Sequence, residues 1–436
     1  MAPSAAVLVG LLSVPLGYFA TTYGPPIARG LTVFGITRTP VAGVYESVVT
    51  IEGTRICEDL SYHADSGLIF TACEDSLESR LGWFPPLALF DTEAYKKSKG
   101  GLFYIDPETQ KAEQINIVKY SEPFVTHGID VVTDTTWDNT DGSQAVYIVA
   151  VNHLANPAYL SALANNASTA GIDKARSQLE VFHYIIGSSI AQHVRSVWDP
   201  LITTPNDVIA LKSSRPATEL LVTNDHFHRE GHWRTVEDLW FGAAWTSTVY
   251  LRTKPGVEEG GVTASLATGL LHNNNGIGHG RPGTNEIAIT SCASGRLRLG
   301  TVVSTKANKG AKTVNFTDTV ELDSVIDNPS FFSDPYGDLS GWVLPGLSRA
   351  ADLAKTIGDP KGVNPAIVWL ARHDQSTNTW SKRVLFEDDG SRIRSASGAV
   401  LVATNPKKEG AVKRTGWLYV TGFVSSSVIA VKVDLE

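Results

Sequence analysis

Cys57-Glu58-Asp59-Leu60 leads into a short strand-like run, Gly67-Leu68-Ile69-Phe70-Thr71, and the acidic pair inside it is answered twice, by Asn206-Asp207 and Asp327-Asn328. Each pair precedes a few strand-forming residues, and none lies in a generally acidic patch. The run that follows the first pair recurs too: a Gly or acid, then alternating aliphatics, then a small polar residue. Further copies are Ala145-Val146-Tyr147-Ile148-Val149, Glu219-Leu220-Leu221-Val222-Thr223, Glu286-Ile287-Ala288-Ile289-Thr290, Leu339-Ser340-Gly341-Trp342-Val343 and Gly416-Trp417-Leu418-Tyr419-Val420. Several-strand units at a pitch of roughly 70 residues, separated by Gly, Asp, Asn and Pro clusters, predict an all-β chain folded as a six-bladed β-propeller.

Composition agrees with a large globular core. Of the 436 residues 42% are hydrophobic, and the net charge of −8 gives no electrostatic reason to bind nucleic acid, which requires clustered Lys and Arg. Residues 5–20 form an uncharged apolar run broken by Pro15 and Gly17, closer to a signal or anchor segment than to a membrane span. The expected organisation is therefore an N-terminal signal, anchor and lead-in segment over 1–40 and one propeller domain over 41–436, secreted or anchored to a membrane through the secretory route. In that compartment Cys57 would pair with Cys73, since both flank the first predicted hairpin, and Asn166 and Asn315 would be glycosylation acceptors. Three free thiols in a cytosolic protein are the alternative.

Departures from the strand pattern are few. Residues 155–176, rich in Ala, Asn and Ser, read as a surface insertion, while Lys306 to Lys312 and Asn405 to Arg414 read as solvated hairpin tips. Ser348 is placed to cap a helix with Ala351, Leu353, Ala354 and Ile357 facing inward. A second helix, Arg234 to Trp245, puts Val236, Leu239, Trp240 and Ala243 on one face, either as plain packing, as a lid over an apolar substrate or as a membrane contact.

The chemistry sits in the repeats. In a propeller the innermost strand of every blade lines the axis, so Glu58, Asp59, Asn206, Asp207, Asn275, Asp327 and Asn328 can converge although far apart in sequence. Carboxylate and amide oxygens from separate segments suit a hard cation, and calcium is the common ion held in that way. A site of Glu58, Asp327 and three amides would just neutralise a dication. His127, before the strand Asp130-Val131-Val132, and His153, closing the second repeat, are the side chains best matched to proton transfer at neutral pH. Asn224-Asp225-His226 ends the third repeat at an equivalent place. No Gly-x-Ser-x-Gly elbow, P-loop or His-Glu-x-x-His is present, and no dinucleotide fingerprint is read after a predicted strand.

With these residues assembled, the chain resembles the paraoxonase/arylesterase family over roughly residues 55–436. The matching pieces are Cys57-Glu-Asp-Leu60, Thr126-His-Gly-Ile129, Val151-Asn-His153, Ser177-Gln-Leu-Glu-Val-Phe182, Pro205-Asn-Asp-Val-Ile209, Thr223-Asn-Asp-His226, Asn275-Gly-Ile277 and Val325-Ile-Asp-Asn328. The resemblance implies a calcium-dependent hydrolase of lactones and aryl esters with two calcium ions. Glu58, Asn206, Asn275, Asp327 and Asn328 match the ligands of the catalytic ion. Asp59, Asp207 and the carbonyl of Ile129 match those of the structural ion. His127 and His153 match a dyad that activates water, with Asp327 assisting at the metal. Asp225, His226 and Trp240 match residues beside the channel, where short helices cover its mouth.

No cysteine follows Cys292, so closure of the propeller is expected to rest on strand pairing without the family's terminal disulfide. The insertion and the loop near Pro345 alter the channel rim, which makes substrate range the least transferable property. A propeller sugar-lactonase or strictosidine-synthase-like enzyme, and a non-catalytic calcium-stabilised binding module, stay open as alternatives. So does membrane association through the N-terminal segment or the aromatic helix.

Overall fold

The computed structural model describes residues 21–213, 215–240, 242–254, 261–304, 310–409 and 413–436. The apolar run 5–20 and parts of the loops at 306–312 and 405–414 lie outside them.

Strands gather into four-stranded antiparallel meanders arranged like a propeller. Two meanders share one sheet: the first begins with Cys57–His63 and ends with Lys111–Val118, the second begins with Thr126–Thr133 and ends with Ile190–Val197. Their outer strands pair in parallel at Asn116–Val118 and Ile190–Gln192. Three further sheets start at Pro205–Ala210, Asn274–His279 and Ser330–Phe332. The last takes Ala396–Ala403, Thr415–Gly422 and Val428–Asp434 from the C-terminal part of the chain and its fourth strand, Val48–Ile51, from the other end, with Val48 opposite Val431. Closure thus rests on strand pairing. First strands touch in sequence from sheet to sheet, and Ala396–Ala403 returns to Cys57–His63, so the innermost strands form a ring.

All six recurring runs fall on or at the second strand of a meander. That strand is covered on both faces, which explains its nearly continuous apolar character. Leu220, Leu221 and Val222, for example, are each 0% exposed, and burying one such side chain contributes about 1.5–3 kcal/mol. The closing threonine has its own reason. Thr71 Oγ1 donates to the Asp59 carbonyl at 2.6 Å, and Thr223 and Thr290 do the same for Asp207 and Gly276.

Those carbonyls need help because the first strands share an irregularity. Pairing with the second strand breaks between Cys57 and Leu60, Thr126 and Ile129, Pro205 and Val208, and Asn274 and Ile277. Two residues leave the ladder each time, and a bulge of this kind re-aims side chains. The residues freed are Glu58-Asp59, His127-Gly128, Asn206-Asp207 and Asn275-Gly276. Acid and glycine alternate because the strands crowd each other at the axis. A Cβ on Gly128 would lie 2.6 Å from Asp207 Cα, and one on Gly276 2.6 Å from Asn328 Cα.

Both helix expectations need correction. The helix expected over Arg234 to Trp245 spans only His232–Leu239, and its buried residues are Arg234 and Glu237. Trp233, Leu239 and Trp240 are 61%, 66% and 54% exposed while Ala243, beyond the helix, is buried, so the expected face is turned largely outward and plain packing does not describe it. Polar anchoring decides this: Glu237 accepts the N–H groups of Phe227 and His228, and Arg234 donates to the Pro86 carbonyl. Near Ser348 only a 3-10 turn, Ala350–Asp352, and one helical turn, Leu353–Thr356, form; neither has a side-chain cap, and Ala354 is exposed. Leu353 packs on Val33, Val325 and Leu347, but one turn is too short to turn all four residues inward. The 155–176 segment is an insertion, its base closed by an Ala155–Ala175 bridge and its helix, Pro157–Ala164, capped by Asn156.

Candidate active site

The strand ring collects most of the residues singled out in the sequence. Glu58, His127, Asn206, Asn275 and Asn328 are all buried beside the axis. Asn328 Nδ2 donates to both Glu58 oxygens at 3.1 Å, His127 Nε2 lies 3.6 Å from Glu58 Oε1, and Asn206 Nδ2 lies 3.4 Å from His127 Nε2. Among the buried oxygens without a hydrogen-bond partner are four on these residues: Asn206 Oδ1, Asn275 Oδ1, Asp327 Oδ1 and Asn328 Oδ1. An unsatisfied buried acceptor costs about 1–3 kcal/mol. Four acceptors from three separate segments, around Asn206, Asn275 and Asp327-Asn328, fit a cation, which needs acceptors alone.

Electrostatics point the same way. Burial, and then the charges of Asp327, Asp59 and Asp207, raise Glu58 well above the carboxylate range. Burial and Asp59 do the same to Asp327, and again to Asp207. Asp59 is pushed up to about 7, chiefly by burial. Mutual repulsion of this kind is what a resident cation relieves. No three His, Cys, Asp or Glu side chains among the described residues are arranged to hold a metal by themselves. The set here is two carboxylates and three amides, an oxygen composition suited to calcium rather than to a softer metal.

Asp59 and Asp207 repeat one device. Asp59 accepts the N–H of Leu60 at 2.8 Å and of Ile129 at 3.3 Å; Asp207 accepts those of Val208 at 2.7 Å and Ile277 at 2.8 Å. Ile129 thus meets Asp59 through its backbone N–H. A cavity of about 1040 Å³ opens beside Asp59, Ile129, Asp207 and Asn328, lined further by Tyr62, His279 and Trp417; Glu58, His127 and His153 do not line it.

The two imidazoles meet as the sequence suggests. His153 Nε2 lies 2.9 Å from His127 Nδ1, and His153 Nδ1 lies 2.9 Å from Ser177 Oγ. Burial holds His127 down to about 3, and burial with His127 itself holds His153 well below the usual imidazole range, so both rings are neutral at pH 7. His153 follows Asn152, whose amide accepts from Val125 N and donates to Tyr120, Pro123 and Glu180. Glu180 is wholly buried and also accepts from His193 at 2.8 Å and Ser196 at 2.6 Å. Trp83 Nε1 donates to the His153 carbonyl, and Phe84 packs edge-on against both imidazoles.

At the third sheet, His226 Nδ1 is 3.0 Å from Asp225 Oδ1, an ion pair without the alignment of a hydrogen bond, and its Nε2 is 2.8 Å from Asp238 Oδ1. Burial alone would depress His226, but Asp225 and Asp238 outweigh it and raise the ring to about 9. Trp240 is not brought to the imidazoles; its ring packs on Trp245. Cys57 and Cys73 form a disulfide, Cys292 is free, and Asn166 and Asn315 are exposed. Sequence reasoning missed Arg80, Phe84 and Glu180 and gave Ser177 no role. The aromatic stretch from Trp83 to Phe90 was the one available signal.

No family model matches the chain, and no curated protein matches it. Among solved structures, a protein of unknown function from Dyadobacter fermentans is similar over 90% of this chain and 99% of that one, at 12% identity and a TM-score of 0.43. A Lactobacillus plantarum protein covers 87% and 89%, at 10% identity and a TM-score of 0.35. The parainfluenza virus 5 hemagglutinin-neuraminidase ectodomain covers 99% and 97%, at 9% identity and a TM-score of 0.40. Likenesses this distant carry no argument about activity.

Proposed function

We propose that the chain is a six-bladed propeller hydrolase of the paraoxonase/arylesterase kind, acting on lactones and aryl or other carboxylic esters with two bound calcium ions. The observation that carries this reading is the set of four partnerless buried oxygens, from Asn206, Asn275, Asp327 and Asn328, gathered beside Glu58 and His127. Calcium would be held there by Glu58, Asn206, Asn275, Asp327 and Asn328, and would supply positive charge able to polarise a substrate carbonyl. Asp59, Asp207 and the Ile129 carbonyl would hold the second, structural ion.

The chain's own part is proton transfer. Tautomers assigned from the hydrogen-bond chain let Ser177 Oγ accept from His153 Nδ1 and His153 Nε2 accept from His127 Nδ1, leaving the His127 Nε2 lone pair turned toward Glu58 and Asn206. His127 then takes a proton from water, and His153 steadies the imidazolium. Asp327 assists at the metal, and Asp225 and His226 border the substrate path. The disulfide and the exposed Asn166 and Asn315 suit a secreted protein. Among the described residues no helix is long and apolar enough to cross a membrane; association with a membrane surface through the exposed aromatic helix belongs to the same reading.

Metal content of the purified protein, with hydrolysis of aliphatic lactones and aryl esters before and after chelation, tests the proposal. Calcium at two per chain and turnover lost on chelation are expected; full activity after exhaustive chelation would overturn it. A second reading, a calcium-stabilised binding module, is favoured by the near-complete burial of both imidazoles, 3% and 0% exposed. Calcium content without hydrolysis of any lactone or ester would select it.

A further inference from the structure

Arg80 is a wholly buried cation, 0% exposed, in the short helix Leu77–Gly82. Its Nη1 donates at 2.9 Å to the carbonyl of Thr126, the residue just before His127. Its Nη2 reaches the Ile56 carbonyl at 3.5 Å and Thr126 Oγ1 at 3.4 Å, and stands 3.2 Å from Glu74 Oε1. The guanidinium also lies 4.1 Å from the centre of the Phe84 ring. That ring meets His127 at 5.1 Å and His153 at 5.5 Å, edge to face with both. One side chain therefore grips His127 twice, through the backbone in front of it and through the ring that walls the imidazole pair.

Packing does not account for this choice. Two buried charges are costly to desolvate, and an apolar pair of the same volume is commonly as stable or more so. A planar fork that donates to a carbonyl while stacking on an aromatic face is the property Met lacks and Lys reproduces only in part. We propose that Arg80 is a positioning residue for the imidazole pair, setting the His127–His153 geometry through the Thr126 carbonyl and the Phe84 ring. The inference rests on the hydrolase reading for its kinetic consequence, and on geometry alone for its structural one.

The single variant R80M strands Glu74 as a buried unpaired acid, so the double variant E74Q/R80M, in which neither charge remains, carries the test, with R80K as the conservative variant. E74Q/R80M is expected to fold and to retain wild-type calcium content, with kcat on a lactone reduced at least about tenfold and KM within about twofold. R80K is expected to recover part of that kcat. F84L, which removes the ring and leaves Arg80, should lose a comparable share, and it serves if the double variant does not fold. In parallel, imidazole 1H–15N spectra of histidine-labelled protein should show the His127–His153 hydrogen bond in wild type and R80K and its loss in E74Q/R80M. Wild-type kcat together with an intact imidazole hydrogen bond in the double variant would overturn the proposal. If wild type hydrolyses no lactone or ester, the hydrolase reading falls, and the spectra alone decide whether Arg80 positions the pair.

Discussion

Asp207→Asn is the perturbation that best separates a cation-braced ring from an ordinary buried acid. Asp207 accepts two backbone N–H groups, from Val208 at 2.7 Å and Ile277 at 2.8 Å. Asn keeps one acceptor oxygen and turns an NH2 group toward the other N–H, which loses a hydrogen bond to a charged group, about 1.5–3 kcal/mol. The same change removes a negative charge that repels Asp59 and Asp130. In chelated protein that relief opposes the lost hydrogen bond, and the net cost should be about 1 kcal/mol or less. In calcium-loaded protein the repulsion is already neutralised, so the full hydrogen-bond loss stands and the weaker calcium affinity adds to it. A tenfold weakening at saturating calcium adds about 1.4 kcal/mol. Together the loaded protein should lose about 3–4 kcal/mol, or roughly 6–16 °C in Tm at about 2–4 °C per kcal/mol for a large domain. Thermal melts of wild type and D207N, each with calcium and with chelator, give four numbers. An equal Tm shift with and without chelator would refute the idea that these carboxylates share an ion.

Three other outcomes are expected. His127→Gln should lower lactone hydrolysis by about 10²–10⁴-fold while leaving the melting temperature within a degree or two; unchanged kinetics would remove the imidazole from the reaction. Because Asp225 and Asp238 raise His226 to about 9, above its ordinary 6.5, its protonation stabilises the fold fully below about pH 6.5 and less as pH rises through 9, a loss of about 3 kcal/mol. Urea unfolding at pH 6 and pH 10 should show that decrement in wild type but not in H226Q. Serine in place of both Cys57 and Cys73, whose bridge spans 16 residues, should cost about 3 kcal/mol of unfolding free energy by urea titration of oxidised protein; no change would mean that the bridge does not constrain the unfolded chain.

Much of the architecture was legible because a second strand buried on both faces writes a near-continuous aliphatic run into the sequence. The pairs Glu58-Asp59, Asn206-Asp207 and Asp327-Asn328 were readable for a related reason, since polar residues just ahead of such runs have few places to go except the axis. The helix around Trp240 was only partly legible, because periodicity reports which residues share a face, not which face is buried. Glu237 and Arg234 hold that helix by polar contacts, and only tertiary structure reveals them. Arg80 and Glu180 were invisible for the opposite reason. A lone Arg or Glu in a sequence reads as solvent-facing, and its burial depends on partners as remote as Thr126 and His193.

The pairing of Val48–Ile51 with Val428–Asp434 reverses the order of manufacture. The strand made early on the ribosome is the one used late, so the final sheet cannot be completed until Val428–Asp434 has been made. Until then the strand Thr415–Gly422 and its neighbours lack a full set of partners, and a nascent chain stalled before residue 428 would carry an open sticky edge. A circularly permuted gene that moves residues 41–55 behind residue 436 would make the last four strands consecutive and let that sheet form as a local hairpin array.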